Sequence, residues 1–322
     1  MTEKPVTESQ FIQPETLSLK AAAPTQGLLE SWVLSGLQPG PEQAWDQLKE
    51  FLDLNARDRE AMLATVEALF RRGYELVVAN YDYLQQHHGT AVILGWEKGV
   101  DPAHLEERRR FFTVWLARTL GMDLGHDFAR YLFRAGQIHA GHGPRHIHVP
   151  EVYVTGAVSL VNATFARFLA EEMPGSEIIP AALAGWNKVL SLHLHMMLLG
   201  YHAALELERG DFSVPVHFFG RLRTLARSRQ LNLKLPAGSS AAAALRKLFN
   251  YFPGLRPEVF DVAWVADERL DHRGAPWLEV QRGYRVRPGW RVLLNGRDLN
   301  YEGGPETTLH PGDTLEVFPP GR

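Results

Sequence analysis

From residue 41 to about residue 210 the apolar positions recur every third or fourth residue, the spacing that lines one face of an α-helix. Asn55, with Asp58 three residues later, forms a cap, and Leu63, Val66, Leu69 and Phe70 continue as an apolar stripe, so a helix starts there. Further helices are predicted over roughly 74–86, 104–119, 124–139, 150–173 and 181–208, with breaks at Gly121, at Gly141-His142-Gly143-Pro144 and at Pro174-Gly175. After Gly210 the period changes from 3.6 to 2. Val214, Val216 and Phe218 alternate with polar neighbours, as do Leu231, Leu233 and Leu235. Ser239 or Ser240 then caps a helix with Leu245, Leu248, Phe249 and Phe252 on one face. Short strands over 291–294 and 314–318 follow, with turns at Asn295-Gly296 and His310-Pro311-Gly312-Asp313. Residues 1–40 lack sustained periodicity and read as a flexible tail with one short helix over 27–37. The expected architecture is multidomain: that tail, an all-α domain over 41–210, and an α+β domain over 212–322.

The 322 residues are 45% hydrophobic and 22% charged, close to globular averages. There are no cysteines, which removes disulfides, thiolate zinc sites, iron–sulfur clusters and thiol nucleophiles, and points to a reducing, cytoplasmic setting. Met1-Thr2-Glu3-Lys4-Pro5 does not open a basic and then apolar leader. The stretch from 189 to 205 is free of formal charge but carries His193, His195 and His202, and is predicted to be a buried helix, so no membrane partner is expected. The net charge of -3 is unevenly spread. Residues 1–211 hold 18 Lys and Arg against 26 Asp and Glu, while residues 212–322 hold 16 against 11, which supports two domains. Arg221, Arg223, Arg227 and Arg229 lack interleaved aromatic residues and read as a solvated face, so no nucleic-acid partner is expected.

Candidate chemistry concentrates in histidine. His139 lies on the apolar stripe of its helix with Phe128, Leu132 and Ala135, just before a glycine-rich exit. An imidazole there can ligate a haem iron from the proximal side, or can be a hydrogen-bonded core histidine. His142, His146 and His148 follow on a Gly/Pro loop without a carboxylate in ligand spacing.

Residues 43–208 resemble the globin domain of globin-coupled sensors and protoglobins. Asp46-Gln47-Leu48-Lys49-Glu50-Phe51-Leu52-Asp53-Leu54 resembles their opening helix, and Asn80-Tyr81-Asp82-Tyr83-Leu84 their distal Phe-Tyr-Asp-x-Leu segment. Trp115-Leu116 is similar to the Trp of the middle helix. Ala135-Gly136-Gln137-Ile138-His139-Ala140 is similar to the proximal Ile-Gly-x-Val-His-Ala, and Pro150-Glu151-Val152-Tyr153-Val154-Thr155-Gly156-Ala157 to the Pro-x-Trp-Tyr-x-Gly-Ala opening of the next helix. The resemblance implies haem b, with His139 as the iron ligand and Tyr81 as distal hydrogen-bond donor. Phe112, Trp115, Phe128, Leu132, Tyr153, Gly156, Leu160, Trp186, Leu190, His193 and Met197 are the remaining pocket candidates, each equally readable as core. This chain departs from the pattern in having about four more residues between His139 and Tyr153, so that a loop histidine stays open as ligand. It also has Val152 for the Trp and Asn80 for the Phe.

Residues 212–320 resemble the ubiquitin-like β-grasp sulfur carriers, typified by the small subunit of molybdopterin synthase and the carrier of thiamin synthesis. The similarity rests on Val216-His217-Phe218-Phe219-Gly220, Leu231-Asn232-Leu233-Lys234-Leu235-Pro236, Phe249-Asn250-Tyr251-Phe252-Pro253-Gly254-Leu255, Val292-Leu293-Leu294-Asn295-Gly296 and Leu309-His310-Pro311-Gly312-Asp313-Thr314-Leu315. About twenty residues around 261–284 are additional to the pattern, and Pro319-Pro320-Gly321-Arg322 stands where those carriers have a terminal Gly-Gly. The expected function is a haem globin that binds or senses a diatomic gas (O2, NO or CO). Its β-grasp module is expected to dock a protein partner or pass on the signal, and a homodimer is expected through the last long helices. The alternative is a sulfur carrier regulated by the globin domain. No catalytic residues are assigned, and a binding role is expected ahead of an enzymatic one.

Overall fold

The computed structural model describes residues 32–320. Its helical part runs α1 (Pro41–Phe51), α2 (Ala56–Leu63), α3 (Val66–Arg71), α4 (Gly73–Gln86), α5 (His88–Leu94), α6 (Pro102–Leu120), α7 (His126–His139), α8 (Glu151–Glu172) and α9 (Ile179–Leu207). The expected cap is present: the Asn55 side chain accepts from the backbone N–H groups of Arg57 and Asp58, and Asp58 accepts from Asn55 N–H. The stripe behind it is broken, however. The chain leaves the helix at Ala64-Thr65, splitting one expected helix into α2 and α3, because the Thr65 hydroxyl donates to the Met62 carbonyl at 2.8 Å and accepts from Trp186 Nε1 at 3.0 Å. Leu69 is buried as expected, whereas Leu63 and Phe70 point to solvent.

The α7–α9 crossing organises the helices. A methyl group added at Gly136 would collide with the Met197 carbonyl, and one added at Gly200 with the Phe133 carbonyl, so the two backbones meet directly where both helices have glycine. Phe128, Ala129 and Leu132 of α7 then pack with Trp45 of α1 and Leu192 and Met196 of α9. A second core joins α2 to α6 with α8 and α9, around Trp186, Phe165 and Phe168. By length and composition α8 could cross a membrane; here Val154, Val161, Phe165, Phe168 and Leu169 form its buried face.

The second part comprises β2 (Phe212–Phe218), α10 (Gly220–Ala226), β3 (Gln230–Leu235), α11 (Ala241–Tyr251), α12 (Arg256–Val259), β4 (Phe260–Leu270), β5 (Pro276–Val286), β6 (Arg291–Leu294), β7 (Arg297–Asp298) and β8 (Leu315–Phe318). A five-stranded sheet has the order β3-β2-β8-β6-β7, with β2 and β8 parallel and the other pairs antiparallel, and α11 packs its Leu245, Leu248 and Phe249 face into the same core. Ser240 caps α11 by accepting from Ala243 N–H, and Asn295 and Gly296 both take positive φ at the β6–β7 turn, as that turn requires. This is the expected β-grasp arrangement following an all-α domain.

The short helix expected over 27–37 is not formed by its described residues; residues 27–31 lie outside them, as does most of the expected tail. Val33 and Leu34 instead form a strand, β1, paired antiparallel with Tyr284 and Arg285 of β5. Leu34 is buried in the β-grasp core, a long-range partner that local periodicity does not reveal.

The same substitution should act with opposite sign at helical glycines that meet a backbone and at one that meets nothing. Gly136→Ala or Gly200→Ala is expected to cost about 1–3 kcal/mol or more through forced separation of α7 and α9. Gly156→Ala on α8, where an added methyl meets nothing within 4 Å, should be neutral or stabilising by up to about 1 kcal/mol. Urea denaturation of the three variants measures both effects.

Candidate functional site

His139 is the last residue of α7. Its Nδ1 lies 2.7 Å from the Ala135 carbonyl, one turn back, so Nδ1 carries the proton and donates, leaving Nε2 with its lone pair. Nε2 has no hydrogen-bond partner in the structure and is not sealed in the core. Burial holds the imidazole pKa below its usual value, and the nearby Arg108 charge acts in the same direction, so the ring is neutral at pH 7. A neutral imidazole with a backbone-fixed tautomer and an accessible Nε2 is the form that ligates a metal.

The loop histidines are differently placed. His142 Nδ1 is 3.0 Å from the Tyr251 hydroxyl of the β-grasp domain, and His148 Nε2 is 2.7 Å from the Tyr201 hydroxyl. His146 sits at a left-handed backbone position. Among the described residues no three His, Asp or Glu side chains gather into a metal-binding group.

Facing this end of α7 is α6. The Tyr81 hydroxyl on α4 donates to the Arg108 carbonyl at 2.8 Å, and burial raises the Tyr81 pKa, keeping the phenol protonated. Arg108 thereby links the two expected ligand-side residues, its carbonyl bound to Tyr81 and its charge acting on His139. Its guanidinium, half-buried, has no carboxylate partner among the described residues. Instead Nε donates to His104 Nε2 at 2.9 Å, while Trp96 Nε1 donates to His104 Nδ1 at 3.2 Å. Arginine and tryptophan are both obligate donors, and a neutral imidazole accepts at one nitrogen only, so His104 satisfies one of them at a time. The neighbouring arginines are neutralised, Arg109 facing Asp82 at 3.7 Å and Arg145 bonded to Glu107 at 2.7 Å. His104 and Arg108 are absent from the residues singled out by sequence. Their four-residue spacing, continued by Phe112 four residues further on, was the available signal that they share one helix face.

The structure brings Tyr81, Phe112, Trp115, His193 and Phe128 into a continuous run of rings, with successive centroids 6.1, 5.2, 6.0 and 5.0 Å apart. Met197 packs beside the Phe128 and Leu132 end. Phe128, Leu132, Trp186 and Leu190 are wholly enclosed by protein, and Trp186 and Leu190 belong to the core shared with α8 rather than to the run of rings. Tyr153 and Gly156 begin the side of α8 on which Leu160 is also open; the Tyr153 hydroxyl fills the space beside Gly89, and Gly156 has free space beyond its Cα. An open groove of about 360 Å³, lined in part by Pro39, Leu48, Phe51 and His195, lies elsewhere, between α1 and α9.

His193 lies stacked on Trp45 at 6.0 Å, and neither of its ring nitrogens has a partner. Burial drives its pKa down to about 3, the Asp123 carboxylate opposing only weakly while itself paired with Arg118. Protonation of the unfolded chain below its ordinary value near 6.5 is thus not matched by the folded state. Stability is fully present above pH 6.5 and lost as pH falls toward 3. From pH 7 to pH 5 this residue should remove about 2 kcal/mol. Replacing it, His193→Phe, should remove that component from denaturant-unfolding free energies measured at the two pH values.

The family model described as Protoglobin matches residues 41–207, and the model described as ThiS family matches residues 216–321. Among solved structures, the globin domain of the Geobacter sulfurreducens globin-coupled sensor is 19% identical, covering 48% of this chain and 96% of its own, with a TM-score of 0.42. The small archaeal modifier protein 1 of H. volcanii is 20% identical over 34% of this chain and 100% of its own, with a TM-score of 0.24. That of Methanosarcina acetivorans is 23% identical over 34% and 93%, with a TM-score of 0.25. No curated protein matches the chain.

Proposed function

The chain belongs to the protoglobin family, and from that premise we propose that its helical domain holds one haem b and binds a diatomic gas, with the β-grasp domain docking a protein partner. The observation that carries this reading is the His139 Nδ1 to Ala135 carbonyl bond, which presents a lone pair at Nε2 with no partner among the described residues. The remaining donors suit the same group. Arg108, half-buried and lacking a carboxylate, is a cation for a haem carboxylate, and the Phe112 ring beside Tyr81 provides an apolar wall. When bound, haem would supply an iron able to accept a small diatomic ligand, with His139 as the residue that would hold it.

The protein's own contribution is to orient and to exclude. The Ala135 carbonyl holds the His139 tautomer and increases its basicity toward metal. Tyr81 keeps its phenol proton beside the Phe112 ring, and to donate to a gas it must exchange its bond to the Arg108 carbonyl. Its net contribution is therefore the difference between two hydrogen bonds, each worth about 0.5–1.5 kcal/mol. The engagement of His142 and His148 by tyrosines supports His139, rather than either of them, as the ligand.

A second reading, sulfur carriage, is favoured by the ThiS-family match alone. Conversion of the C-terminal carboxylate to a thiocarboxylate by an adenylating enzyme, ATP and a sulfur donor, read as intact mass, would establish it.

Titration of the purified protein with hemin should give a Soret band at one equivalent. His139→Gly should lose that band and regain it with added imidazole, while His142→Ala, His146→Ala and His148→Ala keep it. Retention by His139→Gly without imidazole, with loss in a loop variant, would move the ligand to the loop.

A further inference from the structure

The β4–β5 hairpin is an arm whose length exceeds its support. Among the described residues its eleven-rung ladder is covered on the β5 side by the two residues of β1, and β4 has no strand on its other edge. One face of the arm is mainly apolar, with Arg282 and Glu268 opposite Trp264 and Leu278: Val262, Trp264, Leu270, Leu278 and Val280 are each between 58% and 71% exposed. The ladder sets Ala266 opposite Val280, and Leu270 opposite Pro276, so these residues form one patch. A two-stranded ribbon with an exposed apolar face is marginal in water unless a third strand or another surface covers it. β4 holds no proline or lysine to block pairing, and the charges it does carry, Asp261 and Arg269 among them, are of both signs.

We infer that β4 is the interface for a second copy of this chain, the two β4 strands pairing antiparallel about a two-fold axis at Val265 to make a four-stranded ribbon. Charge selects this occupant and this register. With Val265 opposite itself, Asp261 of each copy faces Arg269 of the other, Phe260 faces Leu270, and Trp264 faces Ala266. Moving the axis one residue toward the tip, to Ala266, would instead set Asp261 against Asp271. Both charges of the favoured register are half-satisfied within the arm, Asp261 by Arg287 at 2.8 Å and Arg269 by Glu279 at 3.0 Å, so pairing extends existing ion pairs rather than burying lone charges. The arrangement is isologous and closed, and it places the apolar faces of the two arms side by side in one continuous sheet surface. The interface lies on the β-grasp side of the molecule and is separate from the expected contact through the long helices.

The chain's lack of cysteine makes a direct test available. Opposed residues of an antiparallel pair have Cα atoms about 4.5–5.5 Å apart, inside the disulfide range, whereas residues eight positions out of register are about 27 Å apart. Val265→Cys should therefore cross-link to twice the chain mass under mild oxidation. Asp261→Cys alone should not, and Asp261→Cys combined with Arg269→Cys should. In sedimentation of the uncross-linked chain at micromolar concentration, Val262→Lys with Val280→Lys should raise the dimer dissociation constant at least about tenfold, since each added charge must be desolvated against the ribbon. A monomeric wild-type chain, a dimer in which Val265→Cys fails to link, or a dimer linked only through an α8 position such as Ala163→Cys would each overturn the assignment.

Discussion

The direct backbone contact between α7 and α9 at Gly136 and Gly200 is the constraint on which the rest of the helical domain depends. It allows α7 no freedom of rotation. With Gly136 turned toward α9, and about 100° of turn per residue, Leu132, His139 and Phe128 lie roughly 40°, 60° and 80° from the contact line on one side, and Phe133 about 60° on the other. His139 therefore continues, at the C-terminal end of α7, the face that Phe128 and Leu132 bury, where the Arg108 charge acts on it. A larger residue at either glycine would shift the ring before it disturbed the composition of the site.

The same helix carries the contact between the domains. Gln137, two residues before His139, donates from Nε2 to the Tyr251 carbonyl at the end of α11, at 2.7 Å. His142, three residues after it, meets the Tyr251 hydroxyl. The imidazole is thus bracketed by two hydrogen bonds to one β-grasp residue, and the cores of the two domains merge there through Ala140 and Tyr201. The arrangement explains why Gln137, a polar residue, can be buried: its amide is satisfied by Tyr251 and by Arg134.

Much of the fold is legible along the chain because it is written locally. The five long helices follow from periodicity, the starts of α2 and α11 from Asn55 and Ser240, and the β6–β7 turn from Asn295-Gly296. What is not legible depends on partners distant in sequence. The break between α2 and α3 is held by Trp186, 121 residues away from Thr65, and β1 exists only because Tyr284 and Arg285 pair with it. The candidate site divides in the same way. His139 is recognisable from its helix position and motif, whereas the role of Arg108 comes from three elements converging on it. Phe128, Leu132 and Trp186 share the apolar character of pocket and core residues alike, and their complete enclosure by protein is a property of the fold that sequence does not give.

The central claim, that the fold presents His139 as a neutral, Nδ1-protonated ligand with Nε2 free, is tested most directly by ¹⁵N NMR of histidine-labelled protein before and after addition of hemin. The account predicts that the His139 signals, assigned through His139→Gln, show a protonated Nδ1 and an unprotonated Nε2 at pH 7. It further predicts that they are the histidine signals lost to paramagnetic broadening when hemin binds, along with any neighbours within that reach. An Nε2-protonated His139, or sharp His139 signals that survive hemin binding while those of His142, His146 or His148 vanish, would contradict it.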